Sequence, residues 1–122
     1  MSAEKVVRDF CNAVAHSKSA DLVAFFAADA VYHNIPLDPV KGRDAIRATL
    51  AQFLDPSSTV EFRILALAVT GNKVLTERID RFTMNGKPVE IPVMGAFEVA
   101  DDGKIAAWRD YFDMQQFMKQ IS

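Results

Sequence analysis

Thr76, Glu77, Arg78, Ile79, Asp80, Arg81 and Phe82 follow one another in a β-rich stretch. Strand side chains alternate faces, so Thr76, Arg78, Asp80 and Phe82 share one side and Glu77, Ile79 and Arg81 the other. Both sides carry charge, and this stretch alone leaves two readings open. On a solvated face, Arg78 and Asp80 are an ordinary surface ion pair of little worth. Facing a core, the pair must be fully hydrogen-bonded, because a buried charge without partners is costly. A forked guanidinium between two carboxylates meets that demand.

A second carboxylate is available in the segment Trp108-Arg109-Asp110-Tyr111-Phe112. Asp110 shares its face with two large aromatics, Trp108 and Phe112, and such an acid reads as either buried or exposed. A third cluster is Tyr32-His33-Asn34. Tyr32 and Asn34 point the same way, and a phenol beside an amide can hold a water by hydrogen bonds. A core tyrosine followed by a turn-starting asparagine is the plainer alternative. Two carboxyl groups in different protonation states, with a held water, are what acid–base hydrolysis needs.

Other reactive residue types read as structural. His33 points away from Tyr32 and Asn34. His16 sits at the end of a helical pattern, where a cation suits the dipole. Two distant histidines make no zinc-like spacing, and no metal or cofactor site is expected. The single cysteine, Cys11, lies on an apolar helix face and reads as a small buried hydrophobe. There is neither a phosphate-cradling glycine loop nor a nucleophile elbow.

The elements that must position these groups are legible from periodicity. Ala3, Val7, Phe10, Cys11 and Val14 recur at helical spacing, with Ser2 as cap. A short helix is expected from Ser19, showing Leu22, Phe25 and Phe26 to the core. Ala30 to Asn34 reads as a strand. Pro36, Asp38, Pro39 and Gly42 mark a loop. A third helix is expected from Arg43 to Phe53, with Ile46, Leu50 and Phe53 on one side.

The second half changes character. Val60–Val69, Lys73–Met84, Val89–Val99 and Lys104–Phe112 are β-rich, separated by Gly71-Asn72, Asn85-Gly86 and Asp101-Asp102-Gly103. These are hairpin signals, so the four stretches predict an antiparallel meander. Pro88 and Pro92 predict an edge, a bulge or a curl in the third of them. Asp113 is the expected cap of a last helix with Met114, Phe117, Met118 and Ile121 inward. The fold class is α+β: helices packed on a strongly curved, mixed but mainly antiparallel sheet, leaving a cone with an internal pocket. Phe82, Met84, Val93, Phe97, Trp108 and Phe112 are the expected pocket residues, and they suit an apolar small molecule.

The chain has 122 residues, which fits one domain spanning all of them. A net charge of −2 with no basic stripe argues against nucleic acid and against a membrane surface. No apolar run reaches the length of a membrane span. One cysteine excludes an internal disulfide, and the first residues lack the pattern of a signal peptide, so a cytoplasmic setting is expected.

The order of Tyr32-His33-Asn34-Ile35-Pro36-Leu37, Gly42-Arg43-Asp44-Ala45, Thr76-Glu77-Arg78-Ile79-Asp80, Gly103-Lys104-Ile105 and Trp108-Arg109-Asp110-Tyr111-Phe112-Asp113 resembles the limonene-1,2-epoxide hydrolase family. The resemblance covers roughly residues 30–118. It implies a cone fold shared with ketosteroid isomerases and polyketide cyclases. It implies an Asp–Arg–Asp triad of Asp80, Arg78 and Asp110, with Tyr32 and Asn34 holding the attacking water. It also implies a homodimer without metal or organic cofactor, which adds water to an apolar epoxide. Two alternatives stand beside this reading: an isomerase or cyclase on the same fold, and a non-catalytic dimeric module that binds small molecules. Burial of Arg78 and Asp80 is the observation that separates an enzyme from the latter.

Overall fold

The computed structural model describes residues 2–122. Helix α1, Ala3–Ala13, starts as the sequence predicts, with the Ser2 hydroxyl accepting the Lys5 backbone N–H at 3.1 Å. That bond satisfies a donor the first helical turn leaves free. Val7, Phe10 and Cys11 form its buried stripe, joined by Val14 just past its end. His16 lies beyond the helix, whose last turn carries no basic residue, so the dipole role expected of it does not arise.

Helix α2 is the single turn Ser19–Leu22, extended by a tighter 3-10 turn, Val23–Phe25. Phe26 is not helical as expected. Its backbone is extended (φ −103°, ψ 147°), and it opens strand β1, Phe26–Asn34. The strand therefore begins before Ala30. Ala27, Ala28 and Asp29 have little intrinsic strand preference, and it is pairing with a distant segment that draws this stretch in. The proline loop hides a two-residue strand, β2, Val40–Lys41, paired with Tyr32 and Val31. Gly42, at φ 91°, then opens helix α3, Arg43–Leu54.

Strands β3 (Glu61–Thr70), β4 (Lys73–Met84), β5 (Lys87–Val99) and β6 (Ile105–Tyr111) form the predicted antiparallel meander. Asn85 and Gly86 both adopt positive φ at the β4–β5 turn, as a tight hairpin requires. Strand β1 joins β6 in parallel, which makes the sheet mixed, in the order β2-β1-β6-β5-β4-β3. The sheet stays open, with β2 and β3 at its ends. It is nonetheless strongly curled, because α3 packs on both β1 and β4, with β6 and β5 lying between them in the sheet.

The prolines of β5 have a specific place. Strand β5 pairs with β4 along its length but with β6 only from Met94 onward. The preceding half is an edge, where a missing N–H costs no ladder bond. Helix α4, Met114–Ile121, covers this edge: the Gln120 side-chain oxygen accepts the Glu90 N–H at 2.8 Å, and its amide donates to the Glu90 carbonyl at 3.0 Å. Pro88 and Pro92 flank Glu90 two residues away on either side, so their nitrogens face this same open side. Asp113 caps α4 through the Gln116 N–H. Met118 departs from expectation: it is 46% exposed, while Phe117 and Ile121 pack against the core. The helix is short and covers a strand edge, so its inner face is too narrow for all four apolar residues.

The core is aromatic. The Phe10 ring makes edge contacts with Phe26, Phe97 and Trp108 at 5.4, 6.1 and 5.0 Å between centroids. Helix α1 thus fills one part of the curled sheet and leaves a hollow beside α3 and α4.

Candidate active site

Register sets the site. Across the sheet, Asn34 on β1 lies beside Asp110 on β6, Asp110 beside Gly95 on β5, and Gly95 beside Thr76 on β4. The neighbouring row is Tyr32, Trp108, Phe97 and Val74. Both rows face inward, because the alternation of each strand is locked by burial of its apolar set. Arg78 and Asp80 follow along the same face of β4.

Arg78 is fully buried, with a relative exposure of 0%, and Asp80 and Asp110 are each at 4%. The surface-pair reading of Arg78 and Asp80 is therefore excluded. Nε and Nη2 of Arg78 donate to the two Asp80 oxygens at 3.0 and 2.8 Å. Nη1 and Nη2 donate to the two Asp110 oxygens at 3.2 and 2.8 Å. Nη1 also donates to the Thr76 hydroxyl at 3.1 Å. These contacts use all five N–H groups of the guanidinium, so its burial leaves none unmet. Phe62 and Phe97 lie 4.9 and 5.9 Å from the guanidinium carbon and add a cation–π environment.

Asp110 has a further donor, Trp108 Nε1–H at 2.7 Å. The indole is itself stacked between Tyr32 (4.0 Å) and Phe97 (5.4 Å), so the carboxylate is held by a rigid support. Tyr32 donates its hydroxyl to Asn34 Oδ1 at 3.2 Å. The five polar residues expected to form a site are thus brought together by three different strands, β1, β4 and β6.

Two carboxyl groups share one guanidinium in a buried site, and full ionisation would leave a net negative charge there. Asp80 responds: burial pushes its pKa up to about 6, although Arg78 pulls the other way. Burial works against the charge of Arg78, but Asp110 and Asp80 outweigh it and hold the guanidinium firmly protonated. Burial, and then the Asp110 charge, push the Tyr32 phenol well above its usual range. Burial also raises the Cys11 thiol to about 12, in keeping with an inert core residue.

Above these acids lies a cavity of about 170 Å³. Tyr32, Asn34, Asp80 and Asp110 form its polar end. Phe82, Met84, Val93 and Phe112 line its walls, as the strand pattern predicts. Phe97 and Trp108 do not. Both are completely buried beneath the acids, where large rings fill the layer between sheet and α1 and support the site from behind. Periodicity places a residue on a face but not at a depth, so these two could not be told from wall residues. The remaining walls come from other elements: Phe62 on β3, Ile91 on β5, Thr49, Gln52 and Phe53 on α3, and Leu37 and Phe117. Nothing local in the sequence marks them. The sequence places Thr76 on this face without a role in the site, and it does not single out Gly95, although a glycine inside a strand is a signal of close approach. His33 points away as expected, its Nε2 lying 2.9 Å from the Leu37 carbonyl oxygen. Among the described residues no group of three or more His, Cys, Asp or Glu is placed to hold a metal ion. None of their helices is long and apolar enough to cross a membrane.

The fold and this constellation define an epoxide-hydrolase-like protein of the curled α+β type. A family model described as the limonene-1,2-epoxide hydrolase catalytic domain matches residues 1–122, and the chain belongs to that family. It is 34% identical over 115 residues to epoxide hydrolase EphG of Mycobacterium tuberculosis, covering 94% of this chain and 76% of that protein. The structure of an M. tuberculosis epoxide hydrolase of the limonene type superposes with a TM-score of 0.79 at 31% identity, covering 98% of this chain and 88% of that one. The fold is also that of SalBIII, an epoxide hydrolase/cyclase-like enzyme of pyran ring formation in salinomycin. That match has a TM-score of 0.84 at 20% identity, covering 93% of this chain and 92% of the other.

Proposed function

We propose that this protein adds water to an apolar epoxide in one step, giving a vicinal diol. The supporting observation is one guanidinium clamped between two buried acids at the polar end of an apolar cavity. Water is a poor nucleophile and an epoxide oxygen a poor leaving group, so base and acid must act together.

In this reading Asp110 is the base. Tyr32 has its proton committed to Asn34 Oδ1, so its oxygen is free to accept. An attacking water donates one hydrogen to Asp110 and one to the Tyr32 oxygen, and accepts from the Asn34 amide. Its remaining lone pair points at the epoxide carbon. The new C–O bond forms as the epoxide C–O bond breaks. Asp110 takes the water proton, and Asp80 delivers its own proton to the leaving oxygen. Arg78 orients both acids and balances their charge through the exchange. The proton on Asp110 then returns to Asp80, and the net change is one water added to the substrate. No covalent enzyme intermediate and no cofactor take part.

The apolar walls favour terpene, steroid or lipid epoxides. A screen of limonene-1,2-epoxide, styrene oxide, a steroid epoxide and a long-chain fatty-acid epoxide, read as diol formation, tests the activity. A single turnover in heavy-oxygen water should label the diol directly and leave the protein unlabelled; label appearing first in Asp80 or Asp110 would sink the one-step mechanism.

The proposal includes a homodimer in a cytoplasmic setting. The outer sheet face shows Leu75, Met94 and Tyr111 at 44%, 50% and 47% exposure, with Met94 and Tyr111 directly paired. Clustered exposed apolar side chains of this kind favour a partner surface, here a second copy. The lone, buried Cys11 supports the reducing setting.

A further inference from the structure

On the inward face of β5, Val89, Ile91, Val93, Phe97 and Val99 are all buried apolar side chains. Gly95 interrupts them. Its φ is not positive, so no turn geometry demands glycine there. A glycine in a strand interior weakens the strand, and its presence here calls for another cause.

The cause lies in its surroundings. A Cβ at Gly95 would stand 2.3 Å from Arg78 Nη1, 2.7 Å from Asp110 Oδ1 and 2.9 Å from Thr76 Oγ1. Those three atoms form one hydrogen-bonded unit, with Nη1 donating to both oxygens. Arg78 and Asp80 stand on β4 and Asp110 on β6, and β5 runs between these strands. Any side chain on β5 at this row would stand between the guanidinium and Asp110. We propose that Gly95 is a positioning residue for epoxide opening. Its missing side chain is the passage through which Arg78 crosses β5 to bridge the two acids. The catalytic consequence rests on the hydrolase reading above, whereas the geometric claim does not.

The experiment compares Gly95→Ala, Arg78→Lys and the double variant in the full chain. The first readout is the indole N–H resonance of Trp108, the only tryptophan, which reports Asp110 directly through their shared hydrogen bond. The second is kcat and KM on whichever epoxide of the screen is turned over. Gly95→Ala should move the indole resonance and lower kcat by ~10²-fold, with KM within about threefold, because Gly95 does not line the cavity. The double variant should lose no more than Arg78→Lys alone, since the methyl group acts chiefly by displacing Nη1, the nearest of the three atoms, and a lysine has no Nη1 to hold Asp110 Oδ1 and Thr76 Oγ1 against it.

An unmoved indole resonance with near wild-type kcat overturns the proposal, and so do losses that multiply in the double variant. If Gly95→Ala does not fold, recovery of folding in the double variant to the level of Arg78→Lys supports the passage, and absence of recovery overturns it. If the wild-type chain opens none of the epoxides, the hydrolase reading fails while the indole resonance still decides the role of Gly95.

Discussion

Asp80 and Asp110 contact the same guanidinium, yet their surroundings differ, and the proposed division into acid and base rests on that difference. Asp110 accepts three hydrogen bonds, two from Arg78 and one from Trp108. Asp80 accepts only from Arg78. Replacing either by Asn should lower diol formation by at least ~10²-fold, since each proton transfer contributes about that much. The proton on Asp80 also sets a pH dependence. A general acid must be protonated, so kcat/KM should fall as pH rises through about 6. Stability moves the same way. The folded pKa of Asp80 is raised above the ordinary 3.8, so its contribution is fully present below that value and is lost as pH rises through about 6. Urea unfolding midpoints should therefore drop between those pH values, and Asp80→Asn should flatten that slope. A slope unchanged in the variant would assign it to another group.

Elements hold the site through a few polar clasps. The Asp55 carboxylate at the end of α3 accepts the Ser19 N–H and hydroxyl at 2.9 and 2.8 Å, which ties α2 to α3. That same Ser19 N–H bond is the main reason the Asp55 pKa is lowered, although the acid itself is open to solvent. Lys18 answers from the other side, its ammonium donating to the Asp55 and Ser57 carbonyls at 3.0 and 3.1 Å. Ser19 is buried, so Asp55→Ala should cost about 1–2 kcal/mol in chemical denaturation by stranding its donors. Asp113→Ala should cost roughly 1 kcal/mol by uncapping α4. Because α4 carries Phe117 into the cavity wall and Gln120 onto the β5 edge, that variant should also raise KM for the larger epoxides, measured by initial rates.

At the scale of the molecule, one face of the curled sheet is spent on core and cavity, and the other faces outward. The outer face mixes ion pairs, such as Arg109–Glu98 at 2.7 Å, with the apolar side chains Leu75 and Met94. Charge placed at its centre should prevent a second copy from docking. Leu75→Lys or Met94→Glu should shift the particle from dimer to monomer in light scattering, with the Trp108 indole resonance unmoved. A wild-type chain that is monomeric at all concentrations would remove the dimer from the proposal.

Local patterns in the sequence determined a good deal: the helix stripe of Val7, Phe10 and Cys11, the caps Ser2 and Asp113, the hairpin at Asn85-Gly86, and the shared face of Thr76, Arg78, Asp80 and Phe82. Each depends on residues a few positions apart, where backbone geometry dictates who is neighbour to whom. Alternation also put Tyr32 beside Asn34, and Trp108 beside Asp110. It could not say which face of β4 is inward, because both faces carry charge. Only the tertiary structure decided that, by pairing β1 with β6 in parallel and setting Asn34 against Asp110. The same long-range register put Trp108 and Phe97 beneath the acids rather than beside the cavity. It also laid Gly95 under the guanidinium, a contact between β4, β5 and β6 that no spacing along the chain encodes. Burial depth and cross-strand contact are properties of pairs far apart in sequence, and Arg78 changed from a plausible surface cation to a buried bridge only when those pairs were formed.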